Sequence, residues 1–191
     1  MADQRIVDPL RIRALAHPLR IALLDVLGDE PGEFTATECA QRTGESVASC
    51  AYHLHTLAKY GFVEAGAKRG RDKPWRLTNP RGIDVRPDFA DPVALRAVTE
   101  LAAFQIEHQL NRLREWIGAV PGDDPAWTNS STITSSRAWM TQAELAAVSA
   151  TLQRIAEHVA GRSDDPSKRP PGARPVQIFG FAGVDFDRDD R

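Results

Sequence analysis

The chain lacks the features that mark several large classes of protein. No apolar run approaches the roughly 20 residues that a helix needs to cross a bilayer. The opening residues, MADQRIVDPLRIRAL, lack the uninterrupted apolar stretch of a secretory signal. Only two cysteines occur in 191 residues, whereas small secreted domains that depend on disulfides usually carry more. These absences predict a cytoplasmic protein without membrane contact, in which both thiols are reduced.

Motifs for catalysis and for cofactors are also missing. The sequence contains no Gly-rich phosphate loop, nucleophile elbow, H-E-x-x-H or C-x-x-C. His53 and His55 are two residues apart, which places them about 200° apart around a helix, so they cannot readily bind one metal ion. We therefore expect no enzymatic activity, no bound metal and no other cofactor.

The formal net charge is only −2, but the charge is unevenly distributed. Between residues 66 and 86, seven basic residues face two acidic ones, a local net charge of +5. A protein that binds DNA through one small region needs such a focused patch more than a high overall charge. The alternative is a solvated surface hairpin.

Apolar periodicity and turn residues predict four helices and a hairpin in the first 90 residues. The helices are expected over 8–16, from Pro18 onward, from a Thr35–Glu38 capping box to Gly44, and from a Ser46 cap to about Tyr60. FVEAGAKRGRDKPWRLT then predicts two short strands around a polar, glycine-containing tip, with Trp75 anchoring them to the core. Two short helices joined at a glycine turn and followed by a basic hairpin have the order of a winged helix-turn-helix.

The fourth predicted helix, within GESVASCAYHLHTLAKYGFVEAG, has two unlike faces. Cys50, Leu54 and Leu57 share an inward stripe, which leaves small and polar residues to enter a DNA major groove. The predicted DNA contacts are Ser46, Val47, Ser49, Tyr52, His53, His55 and Lys59 on the helix, and Lys68, Arg69, Arg71 and Lys73 on the hairpin. Two alternatives stay open: Ser46 acts only as a cap, and His53 packs against the neighbouring helix.

ALAHPLRIALLDVL, TATECAQRTGESVASCAYHLHTLAKYGFVEAG and the terminal PWRLT resemble the ArsR-type winged helix-turn-helix transcriptional regulators. The resemblance covers roughly residues 8–80. It implies a homodimeric regulator that binds an inverted-repeat operator in double-stranded DNA, commonly a repressor released by an effector. The C-V-C pair and the D-x-H and H-x-x-E set of metal-sensing members are absent, so the effector expected here is not a metal. Cys39 stands where the family has a core aliphatic residue, and both cysteines are expected in the core.

Residues 91–191 are predicted to hold a dimerisation and effector-binding region. A long helix over 91–118 carries apolar residues at gaps of three and four, a seam that favours pairing with a partner helix over packing within the chain. The seam residues are Leu95, Val98, Ala102, Ile106, Leu110, Leu113 and Ile117.

A small α/β extension is expected after this helix. TNSSTITSSRAWM and VQIFGFAGVDF predict strands on either side of a helix capped by Thr141, with a loop over 162–175 and a frayed tail over 185–191. Six aromatic residues are candidates to line a small-molecule effector pocket, with ordinary core packing as the alternative. They are Phe104, Trp116, Trp127, Trp139, Phe179 and Phe181.

The fold class that follows is mainly α with a small β-hairpin. A winged helix-turn-helix domain over 1–90 is followed, within 91–191, by a long dimerisation helix and a small α/β extension. A sequence-specific DNA-binding transcriptional regulator is the function it favours. The alternative is a protein-interaction module built on a winged helix that no longer binds DNA. The basic hairpin favours the first function.

Overall fold

Short helices and a hairpin form the first part of the computed structural model, which describes residues 5–29, 32–68, 72–79, 83–85, 88, 90–155, 157–159, 161–162 and 165–185. The described elements up to the long helix are β1 (Arg5–Ile6), α1 (Pro9–Arg13), α2 (Pro18–Asp29), α3 (Ala36–Thr43), α4 (Val47–Lys59), β2 (Val63–Ala65), β3 (Trp75–Leu77), β4 (Asp84–Val85) and α5 (Pro92–Ala119). None of the described helices combines the length and the apolar character that a membrane span requires.

Local capping fixes both ends of α3 and the turn that leads into α4. The backbone N–H of Glu38 donates to Thr35 Oγ1 at 3.2 Å, and the N–H of Thr35 donates to Glu38 Oε2 at 2.6 Å, so the predicted capping box is confirmed. Gly44 ends α3 with a φ of 74°, a left-handed conformation that favours glycine. Ser46 Oγ then accepts the N–H of Ser49 at 3.1 Å and starts α4. The turn is therefore set by its own residues.

The hairpin is antiparallel and attached to the helices. Val63 pairs with Leu77 and Ala65 with Trp75. Phe34, ahead of α3, exchanges both backbone hydrogen bonds with Trp75, at 2.9 and 2.8 Å. Because Trp75 is also buried, the predicted anchoring of the hairpin is confirmed.

The core of this part is mainly aliphatic. Its fully buried side chains include Ile12, Leu23, Leu54 and Leu57. Cys39 and Cys50 are buried within the same core as free thiols, as predicted. Burial, together with neighbouring Cys50, raises the pKa of Cys39 to about 11. Its thiol therefore stays protonated and unreactive near neutral pH.

Helix α5 joins this core through its first half. Ala94, Ala97 and Leu101 are buried, and the chain divides into one unit of Met1–Arg114 with Gly161–Pro171 and another of Glu115–Ala160 with Gly172–Arg191. The boundary predicted at residue 90 therefore falls inside the first unit, because Ala97 and Leu101, within about the first three turns of α5, are buried in the same core as the preceding helices.

The second unit also departs from the prediction. It contains a 3₁₀ turn at Val120–Gly122, α6 (Pro125–Asn129) and α7 (Gln142–Arg154), and Thr141 caps α7 through a capping box as predicted. Residues 128–140 and 176–186 were predicted to supply strands, but the described part of this unit contains no strand. A strand exists only as part of a ladder, and neither segment pairs with another. The prediction of an α/β extension is therefore wrong for the described residues. Residues 186–191 of the predicted tail lie outside the residues that the structure describes.

Candidate nucleic-acid interface

Helix α4 has a buried inner face and an exposed outer face. Cys50, Leu54 and Leu57 have no exposed surface, which confirms the predicted inward stripe. Tyr52 on the opposite side is 68% exposed and Val47 is 46% exposed. Ser46, Ala48, His55 and Lys59 are also exposed, and Ser49 and Ala51 are half-buried. The outer face thus presents short side chains in the first turn, then a tyrosine, an imidazole and a lysine along the helix.

His53 does not belong to this outer face. Its side chain is only 8% exposed and its ring centroid lies 4.2 Å from that of His17, at the start of α2. Burial lowers the pKa of His53, and the nearby charges of His17 and Arg20 lower it further. The placement of His53 among the DNA contacts is therefore corrected: position 53 is turned far enough toward α2 to pack there.

His55 links the outer face to the hairpin. Its ring lies edge-on to Trp75, with the two centroids 4.9 Å apart. Since Trp75 is itself held by Phe34 and by the core, α4 and the base of the hairpin are held in a fixed relation. The exposed side chains of α4 and of the hairpin can therefore contact one ligand at the same time.

In the described part of the hairpin, fewer positive charges are available to bind DNA than the sequence indicates, because one of them is paired within the chain. Lys68 is exposed, and the Lys73 ammonium lies 5.1 Å from the centroid of the Trp75 ring. Arg76 Nε donates to Glu64 Oε1 at 2.8 Å and its Nη1 lies 3.3 Å from Glu33 Oε1, so its charge is balanced within the chain. The predicted contacts Arg69 and Arg71 lie outside the described residues.

One basic residue beside the turn was missed by sequence reasoning. Arg42 is exposed in the last turn of α3, with its guanidinium 4.5 Å from the Phe34 ring. Its position could have identified it from the sequence, because Arg42 lies two residues before Gly44 and so close to the first turn of α4. Cation–π contact with Phe34 holds this charge in position.

Helix α5 exposes most of the predicted apolar seam. Leu95, Ile106, Leu110, Leu113 and Ile117 are exposed, whereas Val98 and Ala102 are half-buried. Val98 packs partly against the core. The exposed members leave a row of aliphatic side chains along the helix.

The six aromatic residues assigned to an effector pocket require correction. Trp139 is 84% and Phe181 is 81% exposed, and Phe179 is also exposed. Trp116 is exposed, Trp127 is half-buried beneath the Arg174 guanidinium, and Phe104 packs partly against the core of the first unit. Four of the six rings are exposed and so do not line an enclosed pocket. The first unit instead contains a cavity of about 380 Å³, lined mainly by aliphatic side chains such as Leu24, Leu77 and Leu101, with Asp25 among its polar groups.

No cluster of metal-ligating side chains occurs in the part of the chain that the structure describes. A helix-turn-helix domain family matches residues 15–65, which run from the end of α1 through α4 to the end of β2. The fold is that of a winged helix-turn-helix domain. The antiparallel hairpin after α4 supplies its wing, and the ArsR-like motifs of the sequence fall in the same region.

Among solved structures, the winged helix-turn-helix domain is similar to one from Mycobacterium bovis. That structure is the homodimeric winged helix-turn-helix DNA-binding domain of a possible ArsR-family transcriptional regulator. The match has 26% identity and a TM-score of 0.34, and covers 52% of this chain and 82% of the other. No curated protein matches the chain.

Proposed function

We propose that the protein is a sequence-specific DNA-binding transcriptional regulator: a homodimeric repressor that leaves an inverted-repeat operator when a non-metal effector binds. The observation that carries this proposal is the division of α4 into a fully buried aliphatic face and an exposed face of short and polar side chains. A helix held in this way can lie in the major groove with its first turns against the base edges.

Each exposed group then has a role suited to its chemistry. Ser46 and Ser49, at the start of α4, lie where hydroxyl and backbone N–H groups meet phosphate or base edges. Tyr52 and His55 reach further into the groove, and Lys59 faces phosphate at the far end of the helix. Lys68 and Lys73 of the wing, joined by Arg69 and Arg71, contact the flanking backbone or minor groove, and Arg42 contacts phosphate beside the turn.

The exposed row on α5 supports the homodimer. Full burial of one leucine or isoleucine side chain contributes about 1.5–3 kcal/mol. The five exposed members are 37–52% exposed, so covering them in each copy supplies a part of this for every residue. A dimer with two-fold symmetry would present two α4 helices to two half-sites about one DNA turn apart. The effector is part of the same proposal, and a cavity of about 380 Å³ lies within the size range of small-molecule sites.

Genomic binding-site mapping followed by titration tests the proposal. The purified chain should bind the recovered operator far more tightly than a scrambled duplex of the same composition. Tyr52→Ala should lose about 1–3 kcal/mol on the operator if Tyr52 contacts a base, and little on the scrambled duplex. Trp139→Ala is the matched control, because Trp139 is also an exposed aromatic side chain but lies in the other unit. If no DNA is preferred over scrambled duplex, the winged domain has another role, such as protein interaction.

A further inference from the structure

We propose that the first turn of α4 recognises the 5-methyl group of thymine, through Val47 and Ala48. This inference rests on the proposed function and names the base feature that the operator must carry. Each half-site should hold at least one thymine whose methyl group contacts these two side chains. The placement of two apolar side chains on an otherwise polar, exposed surface is the starting observation.

Val47 has no packing role that explains its type. It is 46% exposed, while the inward contacts of the helix are made by Cys50, Leu54 and Leu57. A valine side chain can neither donate nor accept a hydrogen bond, so in a groove it contributes through apolar contact alone. Among the base edges of the major groove, thymine is the one that presents an apolar group, its 5-methyl.

The rest of α4 offers few of the side chains that recognise other bases. Guanine is most often bound by Arg or Lys, and adenine by Asn or Gln, through paired hydrogen bonds. Helix α4 has no Arg, Asn or Gln, and its lysine is Lys59. Lys59 is twelve residues from Val47, about 18 Å along the helix axis at 1.5 Å per residue. Longer side chains that can hydrogen-bond a base edge, Tyr52 and His55, lie beyond the first turn, which offers only the short hydroxyls of Ser46 and Ser49.

The geometry of the first turn suits close approach. Ala48 and the hydroxyl-bearing Ser46 and Ser49 are short, so the helix backbone can lie near the base edges. Ser46 Oγ already accepts the N–H of Ser49, which fixes the turn before DNA arrives. The branched Cβ of Val47 restricts its rotamers. A methyl group of DNA would thus meet a surface of defined shape.

Replacing thymine by deoxyuridine tests this directly, because it removes the methyl group and leaves the hydrogen-bonding edge intact. An operator would first be selected from randomised duplexes with the full-length protein. Each thymine would then be replaced in turn and the dissociation constant measured by fluorescence anisotropy. At one or two positions in each half-site, affinity should fall about fourfold, the amount expected for burying one methyl group.

The protein variant Val47→Ala completes the test. It should reduce or abolish the difference between thymine and deoxyuridine at one of those positions. Val93→Ala should leave the difference unchanged, since Val93 is also 46% exposed but lies on α5. Val47→Ser, which also removes both methyl groups of the side chain, serves as a second variant if Val47→Ala does not fold, and the same loss of the difference is expected.

The possible failures are distinct. A tightly bound operator that tolerates deoxyuridine at every position would overturn thymine recognition and leave the proposed function standing. A methyl effect that persists unchanged in Val47→Ala and in Ala48→Gly would move the contact elsewhere and also overturn the proposal. Failure to select any sequence would contradict the proposed function itself.

Discussion

At the scale of single residues, the His17–His53 pair makes stability depend on pH. Burial lowers both pKa values from 6.5, the Arg20 charge adds to this, and the Glu45 carboxylate partly opposes it. The unfolded chain therefore binds protons at a pH where the folded chain does not. The stability due to the pair is complete above about pH 6.5 and is lost as pH falls through the lower, folded-state pKa values.

Thermal unfolding between pH 8 and pH 5 measures this effect. The melting temperature of the parent protein should fall more steeply with acidification than that of His53→Leu, in which one of the two groups is removed. His55→Gln is the control, because His55 lies on the exposed face of the same helix, and it should keep the parent slope. Equal slopes for the parent and His53→Leu would show that the pair does not set the pH dependence.

Lys68 carries a second prediction at this scale. As an exposed wing lysine that contacts phosphate, it should contribute to binding without regard to sequence. Lys68→Ala should weaken operator and scrambled DNA alike and flatten the slope of log K against log salt by up to about 1. Lys168→Ala, at an exposed lysine far from the wing in sequence, in the Gly161–Pro171 segment, provides the comparison. An unchanged salt slope in Lys68→Ala would remove this residue from the DNA interface.

At the scale of elements, Asp25 joins α2 to α5. His108 Nε2 lies 2.6 Å from Asp25 Oδ2, and Arg112 Nη1 donates to the same oxygen at 2.8 Å. The Asp25 side chain is about one-third exposed, so solvent screens the pair and we expect a contribution of about 1 kcal/mol. Asp25→Ala should lower the free energy of unfolding by about that amount.

Urea unfolding of Asp25→Ala, Arg112→Ala and the double variant measures the coupling between the two groups. A coupling energy of a few tenths of a kcal/mol or more is expected. Pairing Asp123→Ala with Arg112→Ala gives the reference cycle, because Asp123 pairs with Arg174 instead. If the Asp25 cycle gives no more coupling than this reference, the contact between Asp25 and Arg112 does not hold α5 in solution.

The elements also show what could be predicted from sequence. The Thr35 capping box, the Ser46 cap and the Gly44 turn were predictable because each depends on residues within four positions. The partners of His53 and Asp25 were not, since His17 is 36 residues from His53 and His108 is 83 residues from Asp25. Residues 176–185 have a strand-like composition, but whether they form a strand depends on a partner that periodicity does not specify.

At the scale of the whole molecule, the α5 seam predicts the oligomeric state. Leu110→Glu combined with Leu113→Glu places four charges in the paired interface of a dimer, and desolvating them should prevent pairing. Sedimentation should give a dimer for the parent protein and a monomer for the double variant, with operator binding weakened accordingly. Val176→Glu with Ile178→Glu adds the same charge at exposed positions of the other unit and should stay dimeric. A seam variant that remains dimeric would place the interface elsewhere.

Helix α5 has a consequence for the spacing of the operator. The same helix is buried in the core of the winged helix-turn-helix domain through Ala97 and Leu101 and carries the exposed seam on other positions. Because these described residues of α5 pack directly on the domain, a dimer formed through the seam would hold its two α4 helices at a fixed separation. One extra base pair between the half-sites rotates the second half-site by about a tenth of a helical turn around the DNA axis. A dimer with a fixed separation between its α4 helices would then bind only one of the two half-sites.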